Sequence, residues 1–255
     1  MMQLDDVVSS TNQDIARFEE ALHRSIRWYD RCQKAHKQSG RDQIQNLFPI
    51  IQGGLSVDLR RISVREIVAR DPPGIAIGGL SGGEEKLCFI EMVAVSTEQL
   101  PANKPRYLMG VGYAVDMMLC VALGCDQFDC VFPTRTARFG SALIGLGQQV
   151  SLLSASYLTD FGPVCSDCDC STCHTTTRSY LCHLFRNRNS VACQLLTIHN
   201  LRFQMRFMEQ IRAAIIEQRF KEFIWKVLKY HYGDSVNDYP NWILKALDIL
   251  NIEYL

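Results

Sequence analysis

Gly74-Ile75-Ala76-Ile77-Gly78-Gly79-Leu80-Ser81-Gly82-Gly83-Glu84 decides how the first half of this 255-residue chain folds. Its apolar run is too short for a helix and stops at a glycine pair, and a helical pattern begins at about residue 84. This is strand, turn, helix. The same grammar recurs on both sides. Leu47–Ile51 leads through Gln52-Gly53-Gly54 to a helical stretch at about 57–69. Arg106–Met109 leads through Gly110-Val111-Gly112 to one at about 113–123, and Gln127–Phe132 is followed by Pro133-Thr134-Arg135 on a loop. Upstream, Met1–Leu4 leads through Asp5 and Asp6 to a helix at about 12–37, where Ile15, Phe18, Ala21, Leu22, Ile26 and Tyr29 form one apolar stripe. Strand–helix–strand units of this length predict a parallel sheet with right-handed crossovers. Glycine-rich turns just past the strands are where (β/α) barrels place their active sites. Such a barrel needs eight strands and five are readable, so the sheet is either open and doubly wound or the last five strands of a barrel.

Beyond residue 140 the pattern changes. Ser141–Ser156 is apolar and rich in small residues, a cysteine cluster follows, and helices are predicted at about 176–188, 197–217 and 220–231 before a short helical tail around Trp242. The expected organisation is a partial barrel over 1–140, a metal-binding subdomain over 141–198, and a final barrel helix with its tail over 199–255.

Composition excludes disordered and fibrous classes: apolar residues make up 47% and charged residues 21%. The acidic start lacks the basic and apolar regions of a signal peptide, and no apolar run approaches the ~18 residues of a transmembrane span. A cytoplasmic protein is expected. Formal charge sums to zero, yet residues 133–232 carry twelve basic against six acidic side chains. A polyanion would feel that local excess, although solvated surface explains it equally well.

Four of the eleven cysteines lie at 165, 168, 170 and 173. Cys168-x-Cys170-x-x-Cys173 places three thiols on one turn, and zinc requires a fourth N or S ligand. His199, at the start of a predicted long helix, is the favoured donor. Cys165, His174 and His183 are rivals, and an iron–sulfur cluster is a further option. Four protein ligands leave no open position, so the metal would be structural, one zinc per chain.

Phe128-Asp129-Cys130-Val131-Phe132-Pro133-Thr134-Arg135-Thr136-Ala137-Arg138 holds the catalytic candidate. An aspartate inside an apolar strand is costly unless paired or chemically engaged. Such a carboxylate beside a sugar can attack an anomeric carbon and form a covalent glycosyl intermediate. A turn-capping aspartate, or one paired with Arg135, is the plainer reading. Arg135 and Arg138 have a spacing suited to a phosphate or a base edge.

With these motifs in hand, the chain resembles the tRNA-guanine transglycosylases, specifically the eukaryotic queuine-inserting catalytic type. The resemblance rests on Gln52-Gly53-Gly54, Ile77–Glu84, Tyr107–Gly112, Phe128–Val131, the Cys-x-Cys-x-x-Cys run and His199-Asn200, in order along essentially the whole chain. It implies a (β/α)8 TIM-barrel type fold with an inserted zinc-binding subdomain, and exchange of the wobble guanine of tRNA anticodons for queuine. By that similarity Asp129 is the nucleophile. Asp5, Gln52, Gly79 and Leu80 hold the base, and Met109 stacks on it. Gly110, Val111, Gly112, Tyr113, Ala114, Val115 and Asp116 contact RNA, and Thr134, Arg135, Thr136, Ala137 and Arg138 recognise the wobble position. Cys168, Cys170, Cys173 and His199 match the zinc ligands. Val7 and Gly82 resemble small-residue choices that leave room for the cyclopentenediol of queuine. A homologous non-catalytic accessory subunit, and through that complex the mitochondrial outer membrane, are implied partners. The family's Ser-Gly-Gly-Phe-Gln motif, with a preceding aspartate as general acid/base, does not occur in these residues. The expectation is therefore an N-terminally shortened form, with a weak isoform that binds tRNA or a partner as the alternative. Leu80-Ser81-Gly82-Gly83-Glu84 also resembles an ABC-type ATPase signature, but no Gly-x-x-x-x-Gly-Lys-Ser/Thr phosphate loop accompanies it.

Overall fold

The computed structural model describes residues 1–253, so the last two residues of the expected tail lie outside it. The chain runs α1 (Ile15–Gln38), β1 (Ile50–Ile51), α2 (Val57–Val68), β2 (Ile75–Ile77), α3 (Lys86–Glu98), β3 (Arg106–Leu108), α4 (Ala114–Ala122) and β4 (Gln127–Phe128). It continues through α5 (Phe132–Arg138), β5 (Ser141–Ile144), β6 (Gln148–Ser151), α6 (Ser171–Thr175), α7 (Arg178–Arg186), α8 (Ser190–Ile216), α9 (Phe220–Tyr232) and α10 (Asn241–Ile249). It forms two compact units, one of Met1–Val111, Leu119–Asp129 and Tyr239–Leu255, the other of Gly112–Met118 and Cys130–Asp238.

The first unit is a parallel sheet in the order β1-β2-β3-β4. Ile50, Ile51, Ile75, Ala76 and Ile77 are all buried, as expected of strands covered on both faces. The expected first strand is reduced to a single parallel bridge between Met2 and Phe48, fixed by the Gln3 N–H donating to the Phe48 carbonyl at 2.9 Å. Gly74 is needed for packing, since a Cβ there would lie 2.1 Å from the Phe48 ring. Asp14 caps α1 by accepting from the Arg17 N–H; of the predicted stripe, Phe18, Ala21, Leu22, Ile26 and Tyr29 are buried, whereas Ile15, in the first turn, is exposed. The tail helix α10 buries Ile243, Ala246 and Leu247 and packs on α3.

The second unit holds an antiparallel β5–β6 hairpin with α5 to α9. Three local expectations change here. The strand expected over 127–132 stops at Phe128, and Phe132–Arg138 is a helix rather than a loop, because Pro133 fits a helix's first turn, where a missing N–H costs nothing. The small-residue stretch after Ser141 is the hairpin. Helix α8 starts at Ser190, where Asn189 caps it by accepting from the Val191 N–H at 3.0 Å, so His199 lies well inside it and not at its start. Among the described residues no helix is long and apolar enough to cross a membrane.

Candidate active site and metal centre

The strand register creates the site of the first unit. Ile51 pairs with Ile77, Ile77 with Leu108, and Leu108 with Phe128. The next residues, Gln52, Gly78, Met109 and Asp129, therefore stand in one row along the carboxyl edge of the sheet. The Gly78 N–H donates to the Ile51 carbonyl at 3.0 Å and the Met109 N–H to that of Ile77 at 3.2 Å, which ties the row together.

Gln52 is buried, its N–H donates to Ser63 Oγ at 3.1 Å, and its side-chain amide donates to the Asp5 carboxylate. Burial pushes the Asp5 carboxyl above its ordinary value, against the opposing Gln52 bond. Gly79 has φ of +68°, and a Cβ there would sit 2.7 Å from Gln52 Oε1, so only glycine fits. Leu80 follows, half-buried. Glu84 organises the rest of that turn: it accepts from Ser10 Oγ at 2.7 Å, from the Gly82 N–H at 2.9 Å and from the Ser81 N–H. Burial opposes its ionisation, but these donors prevail and hold it below the usual carboxylate range. Gly82 is cramped by its own neighbours, since a Cβ there would meet Ser10 Oγ at 2.6 Å. Val7 is exposed.

Asp129 lies one residue past β4 and is exposed, not enclosed in an apolar strand. It accepts from the Gly110 N–H at 3.0 Å and from the Tyr107 hydroxyl. Burial first, and this bond second, push the Tyr107 phenol above the ordinary tyrosine range. The hydroxyl thus stays a proton donor that steadies a carboxylate free to react.

Two residues that brace this row escaped sequence reasoning. Tyr107 was visible only as part of a motif. Arg60 is fully buried in α2, with Nε on the Gly54 carbonyl at 2.8 Å and Nη2 on that of Gly78 at 3.0 Å. A signal existed: Arg60 occupies the apolar stripe that Leu59, Ser63, Val64 and Ile67 complete.

In the second unit, Gly112 packs on Cys130, where a Cβ would come within 2.6 Å, and its carbonyl accepts from Gln204 Nε2 at 2.6 Å. The Tyr113 and Phe132 rings lie 4.2 Å apart. Ala114, Val115, Asp116 and Ala137 are buried, whereas Tyr113, Arg135 and Arg138 are exposed, and Thr134 and Thr136 are intermediate. Arg135 and Arg138 project from α5 at helical spacing, and among the described residues neither is in an ion pair. Most arginines nearer the cysteines are engaged: Arg178 with Asp160, Arg202 with Asp169 and Glu209, Arg206 with Asp167.

Cys168, Cys170, Cys173 and His199 converge, with one ligand atom of each within 4.8 Å of the others. His199 Nδ1 faces the sulfurs, 3.3 Å from Cys173 and 3.7 Å from Cys170. Those separations fit a tetrahedral ion with metal–sulfur bonds of about 2.3 Å and metal–nitrogen bonds of about 2.0 Å. The other nitrogen, Nε2, hydrogen-bonds the Leu143 carbonyl at 2.9 Å, which fixes the ring. Burial lowers the His199 pKa, so the imidazole is neutral and free to ligate. Cys165 faces Nε2 instead, at 4.0 Å, and burial raises its thiol to about 11. It lies outside the ligand set. His174 is exposed, and His183 bonds Asn187. The cluster could hold a metal ion, and its four protein donors would leave no position for substrate.

The chain thus combines a row of Gln52, Gly78, Met109 and Asp129 on the edge of a parallel sheet with a Cys3His cluster downstream. The chain belongs to the queuine tRNA-ribosyltransferase family, whose profile it matches over residues 1–233. It is 50% identical along its whole length to the queuine tRNA-ribosyltransferase catalytic subunit of Schizosaccharomyces pombe, covering 63% of that protein. It is 43% identical to the catalytic subunit of Caenorhabditis elegans, with 97% of this chain and 64% of the relative aligned. It is 44% identical to the queuine tRNA-ribosyltransferase of Thermus thermophilus, with 90% and 57% covered. The chain thus spans less than two thirds of the length of these relatives. The fold is α/β, with a parallel sheet of four paired strands and one further bridge.

Proposed function

We propose that this chain carries the base-exchange site of a queuine tRNA-ribosyltransferase and replaces guanine with queuine at the wobble position of tRNA. The observation behind this reading is the register that lines Gln52, Gly78-Gly79, Met109 and Asp129 along one sheet edge. Asp5 and Gln52 accept from and donate to the base edge, Gly79 and Leu80 add backbone groups, and Met109 offers a face for stacking. The Asp129 carboxylate attacks C1′ of the guanosine ribose; a C1′–O ester bond forms as the C1′–N9 bond breaks, and guanine leaves with the electron pair and takes up a proton. Queuine then gives up its N9 proton and attacks C1′, which restores the carboxylate and the original configuration. The resemblance assigns the proton to an aspartate that is not among these residues. Tyr107 and Gly110 hold Asp129 during both displacements. Arg135, Arg138 and Tyr113 meet the RNA.

The metal we assign is one zinc ion. Three thiols with an imidazole are a common zinc set, and bound zinc would supply cross-linking of α6 to α8 and no chemistry at the sugar. A homologous accessory subunit, and a cytoplasmic complex at the mitochondrial outer membrane, complete the reading.

The test is trapping. Incubated with tRNA bearing a wobble guanosine, the chain should form a denaturant-stable tRNA adduct and incorporate labelled guanine, and Asp129→Asn should do neither. An adduct that persists in Asp129→Asn would overturn the assignment.

A further inference from the structure

Among the described residues Arg60 heads the fully buried large side chains, and no carboxylate forms an ion pair with it, Glu84 acting on it only at longer range. Its guanidinium bonds the carbonyls of Gly54 at 2.8 Å, Gly78 at 3.0 Å and Gly79 at 3.5 Å, and Ser96 Oγ at 3.4 Å. An apolar residue of similar volume would cost the fold far less than a buried charge. What the charge organises is two turns, the one after β1 that carries Gln52 and the one after β2 that carries Gly79 and Leu80.

Peptide geometry shows the consequence. Among the described residues no peptide bond is cis, and in a trans peptide the C=O and N–H point in opposite directions. With the carbonyls of Gly78 and Gly79 drawn back onto Arg60, the N–H groups of Gly79 and Leu80 are turned away from it. Among the described residues neither N–H has an acceptor, although both positions are half-buried. Two donors are held forward beside the Gln52 amide, and a cation behind them polarises their peptides. A purine or deazapurine carbonyl is the acceptor they suit, above all as the departing base gathers negative charge.

We infer that Arg60 is the positioning residue that sets affinity for the exchanged base, by holding the Gly78–Leu80 turn with its N–H groups toward the ligand. This rests on the base-site reading above. A merely structural arginine would lower the melting temperature and leave base affinity alone in whatever protein stayed folded.

The experiment measures guanine binding by calorimetry, KM for guanine and for tRNA, and amide exchange, in this chain and in Arg60→Lys, Arg60→Met and Ser96→Ala. Arg60→Lys and Arg60→Met should weaken guanine binding by about tenfold to a hundredfold, the worth of charged hydrogen bonds, with KM for tRNA unmoved. Exchange should rise at residues 53–54 and 78–80 before the rest of the sheet. Ser96→Ala, which loosens only one end of the guanidinium, should remain folded and move the same readouts in the same direction by a smaller factor. Equal guanine affinity in the unsubstituted chain and a folded variant overturns the inference. If the unsubstituted chain binds no guanine while the turn still loosens in the variants, the base-site reading itself has failed, and this inference with it.

Discussion

Asn200 offers the sharpest stability test, because one side chain ties three elements together. It is fully buried in α8. Its Oδ1 accepts from the Leu143 N–H at 2.9 Å, and its Nδ2 donates to the carbonyls of Pro133 at 3.0 Å and Ser141 at 2.9 Å, with Thr136 Oγ1 at 3.3 Å. Helix α5, strand β5 and helix α8 therefore meet on one amide. Asn200→Ala removes these bonds, each worth about 1 kcal/mol net, and leaves the Leu143 N–H buried without an acceptor at a further cost of about 1–3 kcal/mol. The expected loss is roughly 5–7 kcal/mol, which is a large share of a domain's stability. Asn200→Asp should be no better, since it puts a carboxylate against two carbonyl oxygens while its own donors vanish. The effect should reach the metal, because Leu143 offers its N–H to Asn200 and its carbonyl to the adjacent His199. Outer-shell losses of this kind weaken metal affinity by about tenfold to a hundredfold. Urea unfolding with one equivalent of zinc, followed by the fluorescence of Trp225 in this unit, measures the first; competition with a chelator measures the second. A loss below about 1 kcal/mol, with Leu143 still protected from exchange, would refute the accounting.

Metal analysis should return one zinc per chain, abolished in Cys170→Ser and His199→Ala but retained in Cys165→Ser, whose sulfur faces the wrong nitrogen; retention in His199→Ala would refute the ligand set. Because burial raises the Asp5 pKa, guanine affinity should fall as pH drops through a midpoint above the ordinary 3.8, as protonation removes an acceptor for the base's N–H groups. The same sign means the raised carboxyl favours folding below 3.8 and loses that contribution as pH rises through its folded value. Asp5→Asn should therefore leave the free chain at least as stable at neutral pH while removing base binding, and a destabilised variant would contradict this. Gly79→Ala should cost about 1–3 kcal/mol through its positive φ and its clash with Gln52, and exchange activity should fall with it; a variant with normal melting and turnover would disprove the tight approach.

The sequence determined what depends on local order. Apolar runs closed by glycine turns fixed the strand sequence, because a strand's end and a left-handed turn are both written in neighbouring residues. The Cys-x-Cys-x-x-Cys run announced a metal for the same reason: three donors on one turn need no knowledge of the fold. Strand ends proved harder. Asp129 read as a strand residue, although the helix that opens around Pro133 frees it one position past β4. Tertiary structure decided the rest, where partners are far apart in the chain. It chose His199 over His174 and His183 because α8 runs past α6 with Nδ1 turned inward, and it excluded Cys165 by presenting that sulfur to the nitrogen already held by Leu143. It showed Arg60 under two turns that flank it at a distance in sequence. Spacing records which donors share a turn, but only packing brings an imidazole or a guanidinium to a partner many residues away, since that meeting depends on how whole elements bury their apolar faces.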